Sequence, residues 1–333
     1  MKTVSFSIAN YCVPCHAHCR YCLLSSCGKT GGVDPDAGME FAGRVMREMA
    51  ETRPEISVSY YIGYCMDTPK LTDYIRFCRE HRCPGAKFLQ MNGFAFREKE
   101  ELQTLMNSIR ENGVELIDLT FFGTEEYHDC FAGRKGDFHF LTEMLDAAAQ
   151  AELPVNASVP LLRGNLTQMP DLYRYLSGRS ARKLSFFLPH SKGRGGSVAE
   201  ERITKAEFEQ LPEEIRNSFQ RTKHLTEAEW LASGEITEPE KRNLTLVLTQ
   251  DTLAQLENRP AEEILGMLEE MDDRYLAEMP SAKELAERYG NPGNKRLFRL
   301  RDLLLQWQQR YISENGNTVY DMHDETHHFS VHQ

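Results

Sequence analysis

The sequence predicts an α/β protein: a partial (β/α)6 TIM-like barrel followed by a helical C-terminal extension. Three observations carry this. Six short apolar runs alternate with stretches of helical spacing in the first part of the chain, the first run leads directly into a cysteine-rich loop, and the texture changes beyond Gly195-Gly196. Strands are expected at Val4–Ile8, Ile56–Ile62, Lys87–Met91, Glu115–Phe121, Pro154–Val159 and Leu184–Leu188. Helical spacing marks Ala37–Met49, Thr68–His81, Arg97–Asn112, Asp137–Ala151 and Gln168–Leu176, with stops at Asn112-Gly113 and Ser177-Gly178. Strand and helix in strict alternation make βαβ units with right-handed crossovers, and six such strands leave a barrel open.

Residues 200–314 are rich in Glu, Leu, Arg and Ala, and Pro212, Pro239, Pro260, Pro280 and Pro292 cut them into short helices. Periodicity is clearest at Glu262–Met279 and Asn294–Tyr311. The expected division is a barrel over 1–196 and an acidic, mainly helical unit over 197–333 with a histidine-rich tail. The net charge of −11 is unevenly placed, since residues 1–199 hold 23 basic and 23 acidic side chains and residues 200–333 hold 16 and 27. Such a surface suits solubility or a basic peptide, and not nucleic acid, whose binding needs Lys and Arg against phosphates. No run approaches the roughly 20 apolar residues of a membrane span. The start Met1-Lys2-Thr3 carries no signal-peptide pattern, and the odd count of 9 cysteines argues against a disulfide framework, so a cytoplasmic setting is expected.

The run Cys15-His16-Ala17-His18-Cys19-Arg20-Tyr21-Cys22 places Cys15, Cys19 and Cys22 on one tight loop at the carboxyl end of the first strand, where barrel folds gather their active sites. Three thiolates can hold three corners of a [4Fe–4S] cube and leave one iron open. With Cys12 the same run could make a four-thiolate zinc site, although zinc sites usually pair two hairpins across a longer spacer.

This spacing, with Tyr21 just before the third cysteine, resembles the signature of the radical S-adenosylmethionine (SAM) superfamily, and the similarity runs through about residue 195. The resemblance implies the partial barrel by a second route. It also implies that SAM binds the open iron and is cleaved by one electron. The resulting deoxyadenosyl radical then removes a hydrogen atom from an unactivated C–H bond.

Further positions follow from the resemblance. The family's Gly-Gly-Glu after the second strand is met here by Gly63-Tyr64-Cys65-Met66-Asp67, which makes Gly63 a cofactor contact and Asp67 the candidate acid. Met91-Asn92-Gly93 is similar to the Thr-Asn-Gly turn after the third strand, which brings in Asn92. Leu119-Thr120-Phe121-Phe122-Gly123, with His128-Asp129, Gly133-Arg134 and Gly136-Asp137-Phe138, resembles a run in the peptide-modifying and sulfatase-maturing members. There Thr120 stands where a serine contacts the SAM ribose, and His128 and Asp129 order the loop. Of Asn156 and Ser158, expected to point alternately in and out, one is to approach the cofactor; Ser158 is the choice. Leu188-Pro189-His190-Ser191-Lys192-Gly193-Arg194-Gly195 resembles the turn against the adenine, bringing in Gly193 and Arg194.

The last cysteine is Cys130, so a C-terminal auxiliary cluster has no thiolates. A second cluster would need Cys12, Cys27, Cys65, Cys78, Cys83 or Cys130. Cys130 is the candidate hydrogen-atom donor to a product radical. The tail Asp321–His328 invites a metal-site or covering role. The expected function is a radical SAM enzyme with one [4Fe–4S] cluster and SAM, acting on a peptide or protein side chain. The expected electron donor is a flavodoxin- or ferredoxin-type protein. The competing expectations are a small-metabolite substrate or a non-catalytic zinc or iron–sulfur binding protein.

Overall fold

The computed structural model describes residues 1–22, 31–63, 65–83, 86–179, 181–190 and 193–316, without the side chains of 193 and 194. The expected tail site and Cys27 lie outside the described residues.

Along the chain run β1 (Lys2–Ala9), α1 (Pro35–Thr52), β2 (Ser57–Tyr61), α2 (Leu71–Glu80), β3 (Phe88–Gln90), α3 (Lys99–Glu111), β4 (Leu116–Thr120), α4 (Glu125–Ala132), α5 (Asp137–Gln150), β5 (Val155–Pro160), α6 (Met169–Ser177) and β6 (Ala181–Phe187). Then come α7 (Lys205–Glu209), α8 (Glu213–Asn217), β7 (Leu225–Thr226), α9 (Glu227–Ser233), β8 (Lys241–Val247), α10 (Gln250–Leu256), α11 (Ala261–Glu278), α12 (Ala282–Tyr289), β9 (Leu297–Phe298) and α13 (Leu300–Asn315). Among the described residues no helix is long and apolar enough to cross a membrane.

All six expected strands form, and they lie parallel in two ladders: β2-β1-β8 and β3-β4-β5-β6. No ladder joins β2 to β3 among the described residues, so the barrel stays open. Loop bonds tie those two strands at their ends instead: Asp67 Oδ2 accepts the Ala95 N–H at 2.7 Å, and Asp67 Oδ1 pairs with Arg97. Three strands, β7, β8 and β9, were not expected. Residues 200–314 read as helical, yet β8 lies parallel to β1 from Lys2↔Lys241 to Ala9↔Val247.

Alternation decides the two faces of each ladder. Leu89, Ile117, Leu119, Val155, Ala157 and Phe186 are fully buried and share one core with Leu102, Met106 and Ile109 of α3 and Leu141, Met144 and Leu145 of α5. Each such large side chain contributes about 1.5–3 kcal/mol by leaving water. The opposite face is polar. It carries Ser5, Ser7, Ser59 and Asn243 on one ladder and Gln90, Asp118, Thr120, Asn156, Ser158, Lys183 and Ser185 on the other. Closed barrels fill this space with branched apolar side chains; here it is a polar lumen. Asn156 and Ser158, two residues apart, therefore share the lumen face, which corrects the expectation that they alternate.

α11 joins the main core through Ile264, Leu265 and Leu268, while Trp230, Leu285, Tyr289, Phe298, Leu303 and Trp307 build a second one. Buried Glu227 organises the latter by accepting from Asn291 N–H, Asn294 Nδ2 and Trp307 Nε1 at 2.9, 2.8 and 3.0 Å.

Candidate active site

The cysteine loop lies across the carboxyl ends of the strands and is fixed by its own backbone. His16 N–H donates to Gly93 C=O at 2.9 Å, His18 N–H to Ala132 C=O at 2.7 Å, and Arg20 N–H to Phe131 C=O at 3.0 Å. The loop thus rests on the turn after β3 and on the end of α4. Cys15 sits against that turn: a Cβ built on Gly93 would lie 2.2 Å from Cys15 Sγ, and Gly93 holds φ +81°. Only glycine serves both demands. Cys19 packs with Tyr21 against Phe122, Phe131 and Leu162, and Cys22 with Tyr61 against Ala9, Tyr11 and Val247. One loop thereby spans both ladders.

The electrostatics of the three thiols bear on what they could hold. Burial pushes the Cys19 thiol well up, and Cys15 and Cys22 push it further. Ionised, Cys15 and Cys22 would each oppose a thiolate at Cys19, a repulsion that a cationic iron–sulfur core would relieve. Cys65, buried at the end of β2, donates to Gly93 C=O at 3.3 Å. The neighbouring Cys65 thiol also holds that of Cys15 below the ordinary range. Among the described residues no three or more of His, Cys, Asp and Glu gather as ligands for one metal ion, the set Cys15, Cys19 and Cys22 included. Cys12 stands apart, with its thiol near Ile62 C=O at 3.8 Å and raised by burial to about 11.

The other expected residues divide by what they touch. Tyr21 floors the loop, with its ring 5.5 Å from Phe122 and 5.6 Å from Phe131, centroid to centroid. Gly63 occupies φ +132° at the end of β2. Asp67 is engaged by Ala95 and Arg97, and His16 Nε2 stands 3.9 Å away. The Asn92 side chain exchanges both its groups with the Thr120 backbone: Thr120 N–H donates to Oδ1 at 2.7 Å, and Nδ2 donates to Thr120 C=O at 2.9 Å. Ser158 donates to Asp118 Oδ2 at 2.8 Å. Gly193 and Arg194 open a 3-10 segment, Gly193–Glu201, whose Ser197 Oγ donates to Arg20 C=O at 3.1 Å. Cys130 is exposed on α4, apart from the buried Cys65.

His128 and Asp129 hold the loops. Phe122 N–H donates to His128 Nδ1 at 3.0 Å, so Nε2 carries the proton and faces Asp137 Oδ2 at 3.0 Å. Arg134 donates to Asp137 Oδ1 at 3.1 Å and to Phe94 C=O at 2.6 Å. Asp129 accepts the Gly136 and Phe138 N–H groups at 2.5 and 2.9 Å. Sequence reasoning missed Asp118, although it stands two residues before Thr120 and so shares its face.

A partial parallel barrel with a three-cysteine loop after its first strand is the architecture of the radical SAM enzymes, and this chain has that fold. It superposes on SuiB of Streptococcus suis, solved bound to precursor peptide SuiA, with a TM-score of 0.51 and 11% identity over 71% of this chain and 52% of that one. SuiB bound to S-adenosylmethionine gives 0.47 and 12% over 74% and 51%, and anSMEcpe with bound AdoMet gives 0.40 and 20% over 56% and 51%. The chain thus spans about half the length of these structures. No protein-family model and no curated protein matches it in sequence.

Proposed function

We propose that the chain is a radical SAM enzyme acting on a peptide or protein side chain. The observation that carries this reading is the single loop that sets Cys15, Cys19 and Cys22 over the strand ends, with Gly93 leaving room for Cys15. In this reading the three thiolates hold a [4Fe–4S] cluster and SAM takes the remaining iron. Bound together, the pair supplies a carbon radical able to take hydrogen from an unactivated C–H bond.

The chain's own residues bind, place and shield. The cysteine loop is pinned to Gly93, Phe131 and Ala132, and Tyr21 closes its underside. Gly63, Thr120, Ser158 and the turn at Gly193 are assigned to the cofactor, while Asn92 and Asp67 act by holding Thr120 and the Ala95 loop. The lumen behind them receives the substrate and keeps bulk water from the reacting atoms.

A peptide substrate is supported by the motif of the fourth βα unit and by the acidic surplus of residues 200–333. A further support is the precursor peptide in the SuiB structure, which superposes with a TM-score of 0.51. In this reading a flavodoxin- or ferredoxin-type donor brings the electron, the setting is cytoplasmic, and neither nucleic acid nor membrane takes part. Iron and sulfide analysis after anaerobic reconstitution tests the site. About four of each per chain, with a brown colour, support the reading, and stoichiometric zinc in a colourless protein overturns it.

A further inference from the structure

The lumen holds a half-buried carboxylate, Asp118, set apart from the more deeply placed aspartates. Asp67, Asp137, Asp272 and Asp302 are each paired with an arginine: Arg97, Arg134, Arg242 and Arg299. Asp118 has no such neighbour among the described residues. Its Oδ2 accepts from Ser158 at 2.8 Å, and its ladder neighbours are Gln90 on β3 and Asn156 on β5, both neutral. The next position in that row is Lys183 on β6, which is exposed to solvent. Burial raises the Asp118 carboxyl above its ordinary range, opposed by Ser158.

Even a half-buried carboxylate without a cation is costly to keep in a fold. At a lumen wall it marks where a ligand's charge is to complete the pair. Position agrees. Asp118 sits one lumen layer below Thr120, which the reading above gives to the cofactor, and its charge is felt at the Tyr21 hydroxyl beneath the cysteine loop. The wall around it offers hydroxyls and amides from Gln90, Asn156 and Ser158, which suit the rest of a polar side chain.

We propose that Asp118 is the specificity carboxylate of the lumen, receiving the ammonium or guanidinium group of a substrate side chain while Ser158 fixes one of its oxygens. The inference rests on the reading of the lumen as a radical SAM active site. It adds the substrate's charge, and the acidic surplus of residues 200–333 would draw the same class of peptide.

The test uses the reconstituted full chain with SAM and a reductant. Acetylated hexapeptide mixtures with Lys, Arg, norleucine, citrulline or Glu fixed at the centre are offered separately, beside free lysine and free arginine. Probe-dependent deoxyadenosine and probe mass change are read together. The Lys or Arg mixtures are expected to exceed their neutral isosteres by at least about tenfold, the scale of one charged hydrogen bond. That ratio should fall to within about twofold in Asp118→Asn and should drop part of the way in Ser158→Ala. Turnover of the free amino acids but not the mixtures keeps the cation and assigns it to a small molecule. Equal turnover of neutral mixtures overturns the proposal, as does a ratio that survives Asp118→Asn, or deoxyadenosine that no cationic probe increases. If a cluster-loaded chain forms no deoxyadenosine under any condition, it is the radical SAM reading that fails.

Discussion

The carboxamide of Asn92 acts as a missing rung between β3 and β4, taking the Thr120 N–H at 2.7 Å and giving its own to Thr120 C=O at 2.9 Å. The ladder itself ends two residues earlier, at Gln90↔Asp118. Because Gly93 follows Asn92, this side chain also sets where Cys15 rests. Asn92→Ala leaves two backbone groups without these partners and is expected to cost about 2–4 kcal/mol in urea unfolding. Asn92→Asp keeps an acceptor but turns the other oxygen toward a carbonyl, and it should cost a similar amount. Loss of less than about 0.5 kcal/mol in both would show that the pair is replaceable.

Gly93→Ala tests the cradle of Cys15. The added methyl would lie 2.2 Å from the sulfur at φ +81°, so Cys15 must move. Gly234→Ala provides the comparison, since Gly234 also has a positive φ, +69°, but nothing lies within 4 Å of its Cβ position. Both should lose about 1–2 kcal/mol to backbone strain. Only Gly93→Ala should also lower iron and sulfide content after reconstitution. Equal loading of the two variants would separate Gly93 from the cluster site.

Asp118 imposes a sign on the pH dependence of stability. Its folded pKa lies above the ordinary 3.8 because of burial, so ionising it costs the folded state. That cost is present above the folded pKa and fades as pH falls through it toward the unfolded value. Asp118→Asn should therefore be more stable than the parent near neutral pH, with a difference that shrinks as the medium is acidified. Urea unfolding of both proteins at about pH 7 and about pH 4.5 checks this. A difference that stays constant, or grows on acidification, contradicts the burial account.

Much of the barrel was legible because strand alternation survives in it. Phe6 and Ile8, Ile117 and Leu119, and Val155, Ala157 and Val159 each fall on one side of their strand. β8 was not read as a strand. Lys241, Arg242 and Asn243 open it with charge and polarity inside a Glu- and Leu-rich stretch, and only its pairing with β1 makes Leu244 and Leu246 a buried stripe. α4 was likewise read as loop, although Gly133 at φ +61° closes it cleanly. The cysteine loop was visible from spacing alone. The roles of Asn92 and Asp67 were not, since sequence marks a polar residue at a strand end without saying whether its bonds go to a ligand or to neighbouring backbone. Asp118 escaped for the opposite reason: it lies inside a run that reads as apolar, and its meaning depends on Gln90 and Asn156 standing beside it.

Reductive scission of the sulfonium tests the central claim most directly. The chain is reconstituted without air, supplied with dithionite and SAM, and assayed for deoxyadenosine and methionine beside a Cys15→Ala, Cys19→Ala, Cys22→Ala variant of equal fold content by circular dichroism. The account expects both products in equal amounts from the parent and none above background from the variant. Equal product from the two proteins would contradict it.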